Sequence, residues 1–443
     1  MGELPKEWQP TKVSDVGTLI KGISYKKHEA RKIQGNGLKP ILRANNINGN
    51  LNFEDLVYVP ENRIVAQQYI KKHDVLFCMS SGSKNLVGKT SQAEKNFDGS
   101  YGVFCSLFRP SSIINQRFVG YFFQAPHYRK FIRAISKGTN INNLKREHIL
   151  NIDFCLPSLQ EQNQMVNSLE ELFSDLDNAI ENLKKTQDQL KIYRQSVLKY
   201  AFEGRLNRTK SSSDEWIRKT IGETCITGSG GTPSRSNAKY FTGNIPWVKS
   251  GELDFNIIYD TEEKITQEAL NNSSAKLVKN GTLLIALYGA TVGKMAFLGV
   301  DAATNQAVCF IETPKCLNSK FLYYFLVLNR DRLLSQRIGG AQPNISQTII
   351  KNMLCPIPSV EEQDVIIKII ESRFSVCDKM EETIENSLKQ AEALRQSILK
   401  QAFEGKLTEQ WRKEHKDLIS GENSAEALLK KIKAEKGTLK GKQ

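Results

Sequence analysis

The feature that most constrains this 443-residue chain is that it contains itself twice. Residues 157–206 align without a gap to residues 358–407, with about 20 of 50 positions identical. The match is densest at its end, where Arg194-Gln-Ser-Val-Leu-Lys-Tyr-Ala-Phe202-Glu-Gly204 stands against Arg395-Gln-Ser-Ile-Leu-Lys-Gln-Ala-Phe403-Glu-Gly405. A repeat on this scale makes one half a template for the other, so the fold must be built from two copies of one plan.

Both copies carry the signals of a long helix. Ser158-x-x-Glu161 and Ser359-x-x-Glu362 follow Pro157 and Pro358 as capping boxes, and Gly204 and Gly405 stand where a left-handed cap ends a helix. Leu169, Leu176, Leu183, Leu190 and Val197 recur every seventh residue, with Val166, Phe173 and Ile180 at the companion position. The second copy repeats the seam with Ile370, Cys377, Ile384, Ala391 and Ile398 beside Ile367, Phe374 and Leu388. Each helix thus has a narrow apolar stripe that needs a partner, and the spacing predicts that the two copies pair, the expected arrangement being an antiparallel coiled coil. Roughly 40 helical residues at 1.5 Å each span about 60 Å. Arg194 and Arg395 interrupt the seam at the same inward position. Two readings stand: an arginine snorkelling near a helix end, or a docking surface for another subunit formed with Phe202 and Phe403.

The segments between the helices match more faintly but in the same order. Trp8 and Trp216 each precede a β-branched residue by five positions; Pro40-Ile-Leu-Arg43 parallels Pro246-Trp-Val-Lys249; Phe118-x-x-Tyr121-Phe122 parallels Phe321-x-x-Tyr324-Phe325. Short β-branched and aromatic runs such as Asp74 to Met79 and Thr282 to Leu287, punctuated by Gly, Asn and Ser, indicate mixed α/β, strand-rich domains. The expected organisation is a globular domain over residues 1–156, a helix over 157–206, a second domain over 207–357, a second helix over 358–407 and an extension over 408–443. Residues 207–213 resemble a linker. Whether the extension packs or trails is left open by its sequence.

Charge follows the same segments. The net +14 divides into +11 for residues 1–156, −2 for 157–206, +5 for 207–357, −3 for 358–407 and +3 for 408–443. A polyanion would therefore meet the two globular segments, although solubility explains charge alone equally well. Eight cysteines sit singly, without Cys-x-x-Cys pairs or nearby histidine pairs, which suggests neither a zinc site nor a disulfide framework and fits a reducing cytoplasm. No apolar run reaches the roughly 18 to 20 residues of a spanning helix, and no signal peptide opens the chain, so no membrane association is expected.

Several loops carry polar, basic and aromatic residues at equivalent places. Gly82-Ser-Lys84-Asn-Leu-Val-Gly88-Lys89 resembles a phosphate-binding loop but has five residues between its glycines where that loop needs four, and Gly289-Ala-Thr291-Val-Gly293-Lys294 has three. An altered spacing redirects the backbone N–H groups that must converge on one phosphate, so nucleotide hydrolysis is not expected. A close approach of backbone to a DNA phosphate, with Lys89 and Lys294 supplying charge, or a plain tight turn, fits the pattern. Tyr25-Lys26-Lys27 and Thr232-Pro-Ser234-Arg235 with Lys239-Tyr240 form loops with hydrogen-bonding tips; Arg43-Ala-Asn45-Asn46 and Lys249-Ser250 follow predicted strands. Arg and Lys suit guanine, and Asn or Gln suits adenine, in the major groove, so these residues are candidate base readers together with Asn305, Gln306, Gln342 and Asn344. The same side chains also occur in any surface loop. The sequence lacks an Asn/Asp-Pro-Pro-aromatic tetrad for amino-group methylation, a Gly-x-Gly-x-x-Gly after a strand, a His-Glu-x-x-His and a Gly-x-Ser-x-Gly.

Gly231-Thr-Pro233, Ile245-Pro-Trp-Val248, Gly289-Ala-Thr-Val-Gly-Lys294 with Asn305-Gln306, Gln342-Pro-Asn-Ile345, Pro356-Ile-Pro358-Ser-Val-Glu-Glu-Gln363 and Ala402-Phe-Glu-Gly405 are similar to the recurring signatures of the specificity subunits of type I restriction and modification systems. The resemblance covers nearly the whole chain; in the first half Ser24-Tyr25-Lys26 replaces Gly-Thr-Pro. It implies a non-catalytic subunit with two target recognition domains, each reading one half of a bipartite, asymmetric sequence in double-stranded DNA, held apart by the paired helices. It further implies two modification subunits that carry S-adenosylmethionine and two restriction subunits that use ATP and Mg, with no cofactor on this chain. A coiled-coil adaptor that binds nucleic acid through charge alone is the alternative, and a self-sufficient methyltransferase a third reading.

Overall fold

The computed structural model describes residues 4–82, 86–138, 143–206, 216–335 and 344–440. Two 44-residue helices, Leu159–Phe202 and Val360–Phe403, run through it. The chain divides into two compact units: residues 1–182 with 386–443, and residues 183–385. Each unit therefore holds one globular portion, half of the first long helix and the opposite half of the second.

In the first unit, strand Gln9–Lys12 pairs antiparallel with Asp153–Leu156, which ties the start of the globular portion to its end immediately before the helix. An antiparallel sheet runs in the order Gly17–Lys21, Cys105–Pro110, Val75–Cys78, Thr90–Gln92. A smaller sheet places Leu38–Leu42 between Val57–Pro60 and Ser100–Tyr101, the latter pair parallel. Four-residue strands buried along their length, such as Val75–Cys78, explain the unbroken apolar run in the sequence. The Val75 and Phe77 side chains meet Phe118, Phe123 and Tyr128 in an aromatic core that continues onto Met165, Leu169 and Phe173 of the first long helix and Leu399 and Ala402 of the second.

The second unit repeats this plan. Ile217–Thr220 pairs with Leu354–Ile357; a sheet runs Ile226–Ser229, Val308–Glu312, Leu283–Ala286, Met295–Leu298, Asn256–Ile258; and a second sheet places Ile245–Val248 and Ala302–Thr304 side by side in parallel. Phe321, Leu322 and Phe325 pack with Val197, Leu198 and Ala201 of the first long helix and Ile366, Ile367 and Ile370 of the second. In both units a leading half of one long helix lies against the trailing half of the other, so the two copies pair as the heptads predict, and they do so antiparallel. Leu169, Phe173, Leu190, Val197, Ile370, Cys377, Ile384 and Ala391 of the seam are buried.

The helix ends match the sequence in part. Gly204 and Gly405 take left-handed φ values of 69° and 74°. The Ser158 and Ser359 hydroxyls accept the backbone N–H groups of Glu161 and Glu362 at 3.2 and 3.3 Å. The returning half of the first box is not made: the fully buried Glu161 carboxylate instead accepts from Trp8 Nε1 at 3.0 Å, Thr408 Oγ1 at 2.7 Å and Arg412 Nε at 3.0 Å. A buried carboxylate requires such partners, because a charge taken from water unpaired costs several kcal/mol. The extension is thereby fastened to the first unit. Its helix Ala425–Lys440 adds Leu428, Leu429 and Ile432 to the core, and Lys436 Nζ donates to the carbonyl of Gly17 at 3.0 Å. No helix among the described residues is long and apolar enough to cross a membrane.

Candidate nucleic-acid interface

Three chain crossings bring the candidate loops of the first unit together. Ile23 N donates to Tyr101 O at 2.9 Å, Gly102 N to Leu42 O at 2.9 Å, and Met79 N to Phe104 O at 2.9 Å. The loops beginning at Ser24, Arg43, Ser80 and Gly102 therefore leave adjacent strand ends. Gly22 is required there, since a Cβ would lie 2.1 Å from the Gly102 carbonyl oxygen. The second unit makes equivalent crossings: Gly231 N to Thr304 O at 3.0 Å, Asn305 N to Val248 O at 2.9 Å, and Leu287 N to Ala307 O at 2.8 Å. The loops carrying Thr232, Lys249, Thr291 and Asn305 are thus neighbours, and Thr291 Oγ1 donates to Ser250 O at 2.6 Å.

Within these clusters the candidate side chains divide by what holds them. In the first unit Lys26, Lys27 and Asn45 are exposed, and Tyr25 is half-buried, its hydroxyl pushed up chiefly by burial against the pull of Arg43. Arg43 donates to Asp55 Oδ2 at 2.8 Å and to the Asp55 carbonyl at 2.7 Å. Asn46 is buried and braces the loop: its amide donates to the carbonyls of Asn52 and Glu54 at 2.9 Å each, and its oxygen accepts from Arg43 N at 2.8 Å. Lys89 Nζ donates to Asn48 Oδ1 at 2.7 Å. Gly88 has φ 79°, with Ile132 packed against it, and Lys89 N donates to Leu86 O at 3.1 Å, so residues 86–89 form a tight turn. Lys84 and Gln342 lie outside the described residues.

In the second unit the Thr232 hydroxyl donates to Gln306 Oε1. Arg235 lies over the rings of Phe241 and Trp247, 4.3 and 5.1 Å from their centroids, and is held by Glu263. Lys249 Nζ donates to Glu262 at 2.6 Å and to Glu263 at 3.0 Å. These contacts hold the Glu263 carboxyl below its ordinary range, Arg235 contributing most, and raise the Lys249 ammonium, Glu262 contributing most. Lys294 Nζ donates to Asp254 at 2.6 Å. Ser234, Lys239 and Asn344 are exposed, Tyr240 and Ser250 half-buried, and the Asn305 side chain accepts from Ala307 N at 3.0 Å. The carboxylates that orient the basic residues were missed from the sequence. A signal existed: Arg43 and Lys249 occupy the same repeat position, and each has its acid 12 or 13 residues downstream.

At the helix ends, the Phe202 ring packs on Phe321 and Phe325, 4.8 and 5.5 Å between centroids, and the Phe403 ring on Phe118 and Phe122 at 5.2 and 5.7 Å. Arg194 donates to Asp378 at 2.6 Å and Glu381 at 3.1 Å, and Arg395 donates to Asp177. Burial pushes the Cys78 thiol up to about 11 and Cys105 up to about 12, so neither is poised as a thiolate nucleophile.

Comparison with known proteins agrees with this layout. The model of the type I restriction modification DNA specificity domain matches residues 5–191 and again 213–390. The specificity subunit of the type I restriction enzyme StySPI from Salmonella potsdam is 34% identical over 459 residues, covering 100% of this chain and 98% of the relative. That of EcoKI from Escherichia coli K12 is 33% identical, with coverage of 100% and 98%. Among solved structures, a chain from work on complex assembly and conformational transition of the type I R-M system superposes with a TM-score of 0.71 at 16% identity, over 92% of this chain and 100% of that one. The HsdS subunit from Thermoanaerobacter tengcongensis gives 0.51 at 16% identity, over 91% and 98%. A duplicated domain and helix matched twice by one family model, over the full length of curated relatives, place this chain in the family of type I restriction modification DNA specificity subunits.

Proposed function

We propose that the chain supplies the address for a type I modification and restriction complex: the globular segments 1–156 and 207–357 each read one half of a bipartite, asymmetric duplex sequence. The observation that carries this reading is the repetition of one loop cluster with different side chains. Lys26, Lys27, Arg43 and Val103 stand in the first unit where Ser234, Arg235, Lys249 and Gln306 stand in the second. One scaffold with two sets of tips recognises two different half-sites. Lys26, Lys27, Lys239 and the Gly-Lys lysines Lys89 and Lys294 contact phosphates, which position without specifying, and the remaining polar tips meet base edges.

The 157–206 and 358–407 segments act as the spacer, and 408–443 as a strap on the first domain. Two methyltransferase subunits carrying S-adenosylmethionine and two restriction subunits using ATP and Mg supply the chemistry, in the cytoplasm. The methyltransferase subunits dock on the helix ends that carry Arg194, Phe202, Arg395 and Phe403. The two phenylalanines shape those ends from inside, while exposed neighbours such as Tyr200 form the surface met by a partner.

The test is binding of the chain, with its modification subunits, to cognate and scrambled duplexes at physiological salt. The proposal requires cognate affinity at least about 10³-fold higher. Equal binding would leave only a charge-driven adaptor.

A further inference from the structure

The turn Gly102–Cys105 in the first unit exposes two apolar side chains, Val103 at 37% and Phe104 at 64%. The backbone around them is fixed from both sides. Cys105 N closes the turn on Gly102 O at 2.9 Å, Gly102 N is bonded to Leu42 O, and the Phe104 carbonyl accepts from both Met79 N and Ser80 N, at 2.9 and 3.1 Å. Exposure of Phe104 is therefore a property of a rigid turn. The second unit builds the same turn with the same bonds, Val308 N to Asn305 O at 3.2 Å and Leu287 N to Ala307 O, but there the two tip residues are Gln306, whose side chain is taken by Thr232, and the buried Ala307. The apolar tip thus belongs to one half of the repeat alone.

Its surroundings are basic. The Tyr25 ring lies 3.8 Å from where a Cβ on Gly102 would be, with the exposed Lys26 and Lys27 following it, and Arg43 follows the Leu42 that Gly102 bonds. The segment that carries all of them, residues 1–156, has a net charge of +11. A protruding ring in a positively charged loop cluster complements a polyanion that offers apolar groups between its charges, and duplex DNA does so through the thymine methyl in the major groove. We infer that Phe104 is a specificity-determining residue that packs on the 5-methyl group of a thymine in the half-site read by the first domain, an element of readout that the second domain lacks. The inference rests on the recognition function proposed above.

Replacing thymine by uracil removes that methyl and nothing else, so the experiment pairs each thymine-to-uracil change in both half-sites with Phe104→Ala and Phe104→Leu in the full chain bound to its modification subunits. One position, in one half-site, should cost the unaltered protein about fourfold in affinity, the worth of one buried methyl. Phe104→Ala should be weakened on the thymine duplex by a similar factor and be indifferent to the uracil change at that position, while Phe104→Leu retains part of the difference. Three results would overturn the inference. The first is undiminished sensitivity to uracil in Phe104→Ala. The second is a half-site without a T·A pair at any position that Phe104→Ala affects. The third is unchanged DNA affinity with weakened binding of the modification subunits, which would make the turn a protein contact. If instead the unaltered protein fails to distinguish cognate from scrambled duplex, the recognition proposal itself is what has failed.

Discussion

Arg395 lies across the ring of Phe173, its guanidinium carbon 4.4 Å from the ring centroid, and donates to Asp177 one turn further along the same helix. Arg194 makes the matching arrangement on Phe374, at 5.0 Å, with Asp378. The six residues are three pairs related by the repeat, so the duplication has produced two copies of one clamp. The polar interruption of each seam is thus answered by an aromatic face and a carboxylate on the opposite helix. A charged seam residue with one preferred partner position disfavours other registers.

Arg395→Ala should destabilise the first unit by roughly 1 kcal/mol, most of it from the ring contact, because Asp177 is largely exposed and its ion pair is worth little. A double-mutant cycle with Phe173→Ala, followed by denaturant unfolding, should give a coupling of about 0.5–1 kcal/mol. Additive effects would show that Arg395 and Phe173 do not act as a clamp.

Arg412→Ala should be far more costly. It leaves the buried Glu161 carboxylate with neutral donors only, and a loss on the order of 3–5 kcal/mol is expected in the unfolding of the full chain. Arg412→Ala combined with Glu161→Gln should recover much of that loss, whereas an exposed pair such as Lys413 with Glu409 should be dispensable.

His127 gives a pH dependence. Burial holds its imidazole down to about 4, and its ring packs against both Phe122 and Phe403, 4.6 and 5.6 Å away. The unfolded chain, with a histidine near 6.5, binds more protons than the folded chain below that pH. Stability is therefore lost as the pH falls from about 6.5 to about 4, with a slope approaching roughly 1.4 kcal/mol per pH unit from this group. His127→Phe should flatten the difference between unfolding free energies measured at pH 6.5 and pH 4.5. An identical slope in variant and unaltered chain would contradict it.

Asn45 and Asn46 should behave oppositely. Asn46→Ala removes three hydrogen bonds from a buried site and should cost about 1–3 kcal/mol of stability without changing the recognised bases. Asn45→Ala should leave stability within about 0.5 kcal/mol. Lys26→Ala and Lys27→Ala should each lower the salt dependence of DNA binding by about one unit of slope, uniformly across sequences.

Much of the architecture was legible because it is local or repeated. Heptads, caps and the 157–206 and 358–407 match place the helices within a few residues of Leu159–Phe202 and Val360–Phe403. Repeat correspondence also grouped the loops that the two units assemble. What the sequence did not disclose depends on distant partners. The Glu161 carboxylate turns away from its capping box to bond Arg412, 251 residues on. Asn46 looks like a base reader until Asn52 and Glu54 carbonyls are found to occupy it. Phe104 reads as one more apolar residue in a strand-rich run until a turn leaves it outside.

The proposed spacer role, in which two paired helices set the distance between two readers, is read out in the gap of the recognised sequence. One heptad inserted near Leu183 and another near Ile384 preserves the seam and lengthens each helix by roughly 10 Å, about three base pairs of duplex. Sequencing of methylated sites in cells carrying the altered chain and its modification subunits should show both half-sites unchanged and the unspecified gap between them longer. An unchanged gap, with methylation intact, would contradict the spacer role.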